Sequence, residues 1–271
     1  MPLRYSALLA GLLSAAACAQ PARVLASDAW CDEVHSWSSD GSERACEVRE
    51  TLVRTGTVDV AVQNGELEVQ AWDRADVLVR ARVTARGRTA ADARQLVRET
   101  TVTAEGGRVR SRMPSGARQG ASVSVQVFAP RATALALQAV NGPVRIDGMT
   151  GHIRANVTNG PVALAAVGGD VEVQAMNGSV AVELAGTAWR GAGLVVRAQN
   201  GPIQLAVPTR YSARLAARSD RAGISAPGLR AERPARRRGD AGDRLDTTLG
   251  RGGALLSLMA HNGPVQIRTL D

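Results

Sequence analysis

One short motif recurs through the second half of the chain and limits what it can fold into. Asn141-Gly-Pro-Val144, Asn159-Gly-Pro-Val162 and Asn177-Gly-Ser-Val180 begin 18 residues apart. Asn200-Gly-Pro-Ile203 follows after 23, the excess falling around Thr187-Ala-Trp189-Arg-Gly, and Asn262-Gly-Pro-Val265 closes the series. Ser219-Asp-Arg-Ala-Gly-Ile224 reads as a degraded copy, because Ile224 falls 21 residues after Ile203. The apolar positions recur as well: Val144, Ile146, Met149, Ile153, Ala155 and Val157 match Val162, Leu164, Val167, Val171, Val173 and Ala175. A fixed period of this length is the mark of a stacked repeat. Each unit reads as strand, Gly-containing turn, strand, Asn-Gly turn.

Asn-Gly between strands ordinarily marks a two-residue hairpin. Here Pro follows the Gly in four of the repeats, and a Pro ring pushes its predecessor into an extended conformation. The expectation is a corner instead: Asn alone in the left-handed region, Gly extended, and Pro opening the next strand. Repeated corners wind a chain into an all-β fold, a parallel β-solenoid of the single-stranded β-helix kind, with coils ~4.7–4.9 Å apart. Equivalent Asn141, Asn159, Asn177, Asn200 and Asn262 would then form a ladder. An antiparallel meander of hairpins is the alternative. The small inward residues Ala155, Ala175 and Ala198 suit a narrow interior, as does an aromatic content of 3%.

Ahead of the repeats, residues 51–85 alternate apolar and polar positions, which predicts half-buried strands. Asn64-Gly65 and Asp73-Arg74-Ala75-Asp76 break them with turn chemistry. Thr89-Ala-Ala-Asp92 has the form of a capping box, and Ala93, Leu96 and Val97 then share a helical face, which predicts one short helix over 89–98. Strand periodicity returns at 101–103, 108–110 and 123–127, ending at Pro130. The segment 51–130 is the candidate cap for one end of the stack. The other end has no obvious cap, which leaves self-association and oligomeric state open. Residues 225–250, with Arg236-Arg-Arg238, have little periodicity and read as a surface loop or irregular coil.

The first residues carry one early Arg and an apolar run from Ala7 to Ala17, too short to span a bilayer, as in a secretory signal. Cleavage after Ala19 gives a signal peptide of residues 1–19. Ala15-Ala16-Ala17-Cys18 instead resembles a lipobox, which makes residues 1–17 the signal and puts a lipid on Cys18. No later segment has 18 consecutive apolar residues, so no membrane-spanning helix is expected. Either reading leaves Cys31 and Cys46 as two thiols in an oxidising compartment, where a disulfide is expected. A metal site from Cys31, His35 and Cys46 is the alternative, and it lacks a clear fourth ligand. The organisation read from these features is a Cys-containing extension at 20–50 and a solenoid at 51–271, divided into strands and helix (51–130) and Asn-Gly repeats (131–271).

Taken in order, the signal, the Cys pair, the stretch Val69-Gln-Ala-Trp72-Asp-Arg-Ala-Asp-Val-Leu-Val79, the Ala-rich helix and the Asn-Gly repeats resemble the bacterial envelope proteins grouped as DUF4097, described as candidate adhesins. The resemblance covers about residues 45–271. It implies an all-β solenoid-like fold and an extracytoplasmic location, in the periplasm or on the outer surface. It implies no activity and no catalytic residues. The degraded, basic stretch at 219–250 departs from the pattern.

The chemistry is sparse. Three His and three Cys leave few ways to build a catalytic or metal centre, and no catalytic, metal-binding or cofactor-binding residue is assigned. No phosphate-cradling Gly loop precedes a helix, Ser lacks a Gly-x-Ser-x-Gly context, and calcium nonapeptides are absent. A glycosidase needs two acids at a fixed separation; Asp147 and Asp170 do not match in the repeat, nor do Glu172 and Glu183. The net charge is +8 with 33 basic residues, every one Arg. Ten of these Arg fall within 80–118, against three acids. Arg80 and Arg82 alternate with apolar residues, as do Arg108 and Arg110, which makes these four a candidate patch for an anionic partner. An acidic glycan, the outer-membrane surface or another envelope protein fits an exported chain. Nucleic acid does not, because stacking aromatics and reading motifs are lacking. The expected function is a non-enzymatic adhesion or binding surface of the envelope. An interaction or sensor module for a signalling partner, and a polysaccharide-active β-helix enzyme, are the alternatives.

Overall fold

A computed structural model describes residues 29–32, 42–114, 120–229 and 242–270. Strands β1 (Glu43–Val53), β2 (Thr57–Asn64), β3 (Leu67–Trp72) and β4 (Val77–Gly87) precede helix α1 (Ala90–Glu99), which leads to β5 (Thr101–Glu105), β6 (Arg108–Arg112) and β7 (Ala121–Pro130). Next come β8 (Ala134–Asn141), β9 (Val144–Asp147), β10 (His152–Asn159), β11 (Val162–Ala165), β12 (Asp170–Asn177), β13 (Val180–Glu183), β14 (Gly193–Asn200) and β15 (Ile203–Pro208). The last strands are β16 (Ala213–Ser219), β17 (Ile224–Ser225), β18 (Asp243–Leu249), β19 (Leu255–Ala260) and β20 (Val265–Leu270).

Two ten-stranded sheets face each other. The first runs β1-β4-β7-β3-β9-β11-β13-β15-β20-β17, the second β18-β16-β19-β14-β12-β10-β8-β2-β6-β5. Every repeat gives one strand to each, so a coil has two faces. Neighbouring copies run parallel and in register: Val162 pairs with Val144 and Val180, Ala155 with Leu137 and Val173. The solenoid is therefore observed, and the hairpin meander is not. Alternate residues of both sheets point inward, and Ile153, Val173, Leu164 and Ile203 are fully buried. The small inward Ala155, Ala175 and Ala198 are buried as well.

The corner differs from the expectation in its backbone. Asn does not take the left-handed conformation; the Gly does, with φ of +136° at Gly142 and +148° at Gly160. Asn is the last residue of its strand and stays paired, Asn159 lying opposite Asn141 and Asn177. The reason for the Gly is proximity to the next coil. A Cβ on Gly160 would lie 2.1 Å from the Gly142 carbonyl oxygen, and one on Gly178 or Gly201 would lie 2.0 Å from the preceding Gly oxygen. With the Asn backbone extended, the side chains form the ladder. Asn141 Nδ2 donates to Asn64 Oδ1 (2.8 Å), Asn159 to Asn141 (2.8 Å), Asn177 to Asn159 (2.9 Å), Asn200 to Asn177 (2.9 Å) and Asn262 to Asn200 (2.7 Å). Asn64-Gly65 is thus a sixth corner rather than a simple break between strands.

The coils do not stack in chain order. β8 lies against β2, although β4, α1, β5, β6 and β7 intervene in sequence. Those elements form the cap at one end: β1 and β4 pair antiparallel, as do β4 and β7. Thr89 and Asp92 close a reciprocal capping box on α1, whose Ala93 and Val97 are buried. Arg49 of β1 donates to the carbonyls of Val97 and Thr100 at the far end of that helix. At the opposite end, β19 and β20 insert between β14–β15 and β16–β17. β18 then runs antiparallel along β16, so part of the stretch read as irregular, 225–250, is a strand. Asp243-Arg-Leu245-Asp-Thr-Thr-Leu249 alternates, with Leu245 and Leu249 inward. Ile224 lies opposite Val265, and the degraded copy is a real coil. Antiparallel strands, β5 and β18, thus form both edges of the second sheet.

Two tests follow from this packing. Gly160→Ala should lower stability by about 3 kcal/mol or more, because strain and a backbone clash combine, read as a shift in the urea midpoint. Gly186→Ala, at positive φ but with open space around the new methyl, should cost only about 1 kcal/mol. Separately, burial pushes the Tyr211 phenol up from 10 to about 12. The folded chain favours the neutral phenol, so its contribution is complete below pH 10 and is lost as pH rises through about 12. With no Lys in the chain and Arg charged throughout, the phenolate absorbance that disappears in Tyr211→Phe should rise near pH 12.

Candidate functional site

The outward face of the second sheet carries the most varied side chains. Because neighbouring strands are in register, its residues fall into rows across the coils. One row reads Gln138, Asn156, Gln174, Arg197, Met259 and Arg218, on β8, β10, β12, β14, β19 and β16. Beside it, toward the Asn corner, lie Val140, Thr158, Met176, Gln199, His261 and Asp220. A groove of about 580 Å³ opens along these rows, lined by Asn156, Gln174, Met176, Arg197, Met259 and His261 among others. Met176 is 53% exposed and Val140 44%.

The charges in and beside the groove are held by their neighbours. Glu172 accepts from Arg197 Nη1 (2.7 Å) and Gln174 Nε2 (3.1 Å), with Arg154 at 3.4 Å. Asp220 accepts from Arg218 Nε (2.6 Å) and lies 3.0 Å from His261 Nδ1. The hydrogen bond from Gln174, followed by Arg197, holds the Glu172 carboxyl below its ordinary range. His261, then Arg218, does the same for Asp220. The result is a charge-balanced floor of amide, guanidinium and thioether groups. A guanidinium has five donors, so each anchored arginine keeps N–H groups for a ligand.

The structure separates the four arginines of the candidate anionic patch. Arg80 and Arg82 lie on the first sheet beneath Trp30, and Arg80 is fully buried against Glu50. Arg108 and Arg110 lie on the second sheet and share Asp59, at 3.8 and 2.6 Å. Alternation identified their outward direction, but not the different sheets or the carboxylate facing each pair. Cys31 and Cys46 are joined, with Cα atoms 5.8 Å apart. Both thiols proposed as metal ligands are consumed in that bond, and His35, like Cys18, lies outside the described residues. Among the described residues, no group of three or more His, Cys, Asp and Glu could hold a metal. Asp147 and Glu183 belong to the first sheet, Asp170 and Glu172 to the second, so neither acid pair shares a sheet face. Among the described residues, no helix is long and apolar enough to cross a membrane.

No family profile and no curated protein matches the chain. Among solved structures, it is similar to a candidate cell adhesion protein from Clostridium sporogenes (8% identity, TM-score 0.45, covering 83% of this chain and 100% of that one). It is also similar to a candidate adhesin from Bacteroides fragilis (9%, TM-score 0.31, 83% and 97%). A candidate lipid binding protein from Parabacteroides distasonis matches in the same way (12%, TM-score 0.29, 82% and 97%). Likeness at this level carries no argument about activity.

The His261–Asp220 pair can be checked directly. A depressed carboxyl pKa contributes stability above the ordinary Asp range, and that contribution is lost as pH falls through the folded-state value. His261→Ala should therefore raise the Asp220 titration midpoint in a carboxyl NMR experiment. An unchanged midpoint would mean that the pair does not form in solution.

Proposed function

We propose that the chain is a non-enzymatic, exported binding protein of the bacterial envelope, whose second-sheet groove holds a glycan chain laid along the stacking direction. The observation that carries this is the row Asn156, Gln174, Arg197, Met259 and Arg218, which offers polar and apolar contacts at one strand spacing after another. Stacked repeats favour several weak contacts made together, and avidity supplies the affinity that one contact lacks. Glycan hydroxyls and carboxylates suit the amide and guanidinium donors. The Met side chains cover apolar sugar edges.

The Cys31–Cys46 disulfide supports an extracytoplasmic location, since such bonds persist in oxidising compartments. Removal of residues 1–19, or of 1–17 with a lipid on Cys18, belongs to the same reading, and the intact mass of the exported protein distinguishes the two. The order of disulfide, helix and Asn-Gly coils supports placing the chain with DUF4097.

A glycan array run beside a reducing-sugar assay tests the function. Binding without release of reducing ends is expected, and the double variant Gln174→Ala/Arg197→Ala should bind about tenfold more weakly. New reducing ends would overturn the proposal, and so would glycan binding that the double variant leaves unchanged.

A further inference from the structure

On the outward face of the first sheet at its capped end, a polar region adjoins the apolar cluster of Trp72, Leu78 and Phe128. Along β4, Arg80, Arg82, Thr84 and Arg86 point outward. On one flank, β1 places Glu50 beside Arg80, Cys46 beside Thr84 and Arg44 beside Arg86. On the other, β7 places Gln126, Ser124 and Ser122 beside Arg80, Arg82 and Thr84. Arg80 is 0% exposed. Its Nε donates to Glu50 Oε1 (2.8 Å) and its Nη1 to Gln126 Oε1 (3.2 Å). Its Nη2 is buried with no acceptor among the described residues.

Trp30 covers this arginine pair. Its ring centre lies 5.3 Å from the Arg80 guanidinium carbon and 4.7 Å from that of Arg82. The Trp30 carbonyl accepts from Arg82 Nη1 at 2.9 Å, and the side chain is buried. An electron-rich ring face attracts a cation, but it offers no lone pair to the Arg80 Nη2. An oxyanion would, because paired N–H groups of guanidinium match the oxygens of carboxylate or phosphate. The next residue, Cys31, is bonded to Cys46 on β1, two positions along from Arg44 and four from Glu50. The ring is therefore tied covalently beside the arginines it covers.

We propose that Arg80 and Arg82 form an oxyanion site plugged by Trp30 and latched by the Cys31–Cys46 disulfide. Opening the latch requires a dithiol reductant. One of its thiolates attacks a protein sulfur and displaces the other as thiolate, and its second thiol resolves the mixed disulfide. The protein gains two electrons and two protons to become two thiols, and the reductant becomes a disulfide. The helical turn at 29–32 can then lift, and a carboxylate or phosphate group takes the place of the ring. The site is separate from the second-sheet groove and does not depend on the glycan reading.

Isothermal titration of the full chain with inorganic phosphate and with citrate tests this, each in oxidised and dithiothreitol-reduced protein. The reduced form should bind at least one of the two about tenfold more tightly than the oxidised form, and comparing the probes identifies the preferred oxyanion. Trp30→Ala with the disulfide intact should open the site without reduction, which keeps the test valid if reduced protein unfolds. Arg80→Gln in the Trp30→Ala background should remove the gain. Equal binding by the oxidised parent and Trp30→Ala would overturn the proposal, and so would a gain that survives Arg80→Gln.

Discussion

The approach of one corner to the next governs the rest of the molecule. At each Asn-Gly junction the carbonyl oxygen of one Gly sits 2.0–2.1 Å from where the next Gly would carry a Cβ. Only a residue without a side chain lets the coils close to strand spacing at that edge. Once they close, each Asn meets the Asn above and below, and its amide donates in one direction along the stack. The ladder and the glycines fix register together. A one-residue slip would turn every inward side chain outward and would also misalign the amides. The opposite corner uses the same device, with Gly169 against the Gly151 oxygen and Gly191 against that of Gly169. The two sheets are pinned at both edges, so rows of outward side chains keep their spacing without help from a ligand.

The period made the stack legible in the sequence, because copies 18 residues apart compare position by position. It did not show which residue of the corner bears the unusual backbone angle. Considered alone, Asn tolerates the left-handed region. Only the neighbouring coil reveals that Asn must stay extended to reach its partner and that the next position has no room for a Cβ. Asn64 escaped for a related reason: Glu66 stands where most copies have Pro, and 77 residues separate it from the Asn it bonds. The strand at Asp243–Leu249 was hidden by the Gly and Arg around it, although its own alternation is regular.

The sites were less legible than the fold. Alternation places Arg80, Arg82, Arg108 and Arg110 on outward faces, yet period two does not say which sheet a strand joins. The partners are remote in sequence: Trp30 lies about 50 residues before Arg80 and Arg82, and Asp59 about 50 before Arg108 and Arg110. The groove has no local signature at all. Its residues come from strands whose spatial order departs from chain order, and each contributes one or two ordinary side chains.

That departure from chain order ties the groove to the closure of the fold. Arg197 and Arg218 are 21 residues apart in sequence, nearly one repeat, and successive winding would make them neighbours. They are separated because β19 enters between β14 and β16, which places Met259 between Arg197 and Arg218 in the register and brings His261 within hydrogen-bond reach of Asp220. Two arginines on adjacent strands would repel each other directly. With an apolar residue between them, each instead turns to its own carboxylate, Glu172 or Asp220. The coil that comes last in sequence therefore lies inside the stack, where it gives the groove Met259 and His261 and sets the spacing between its two arginines.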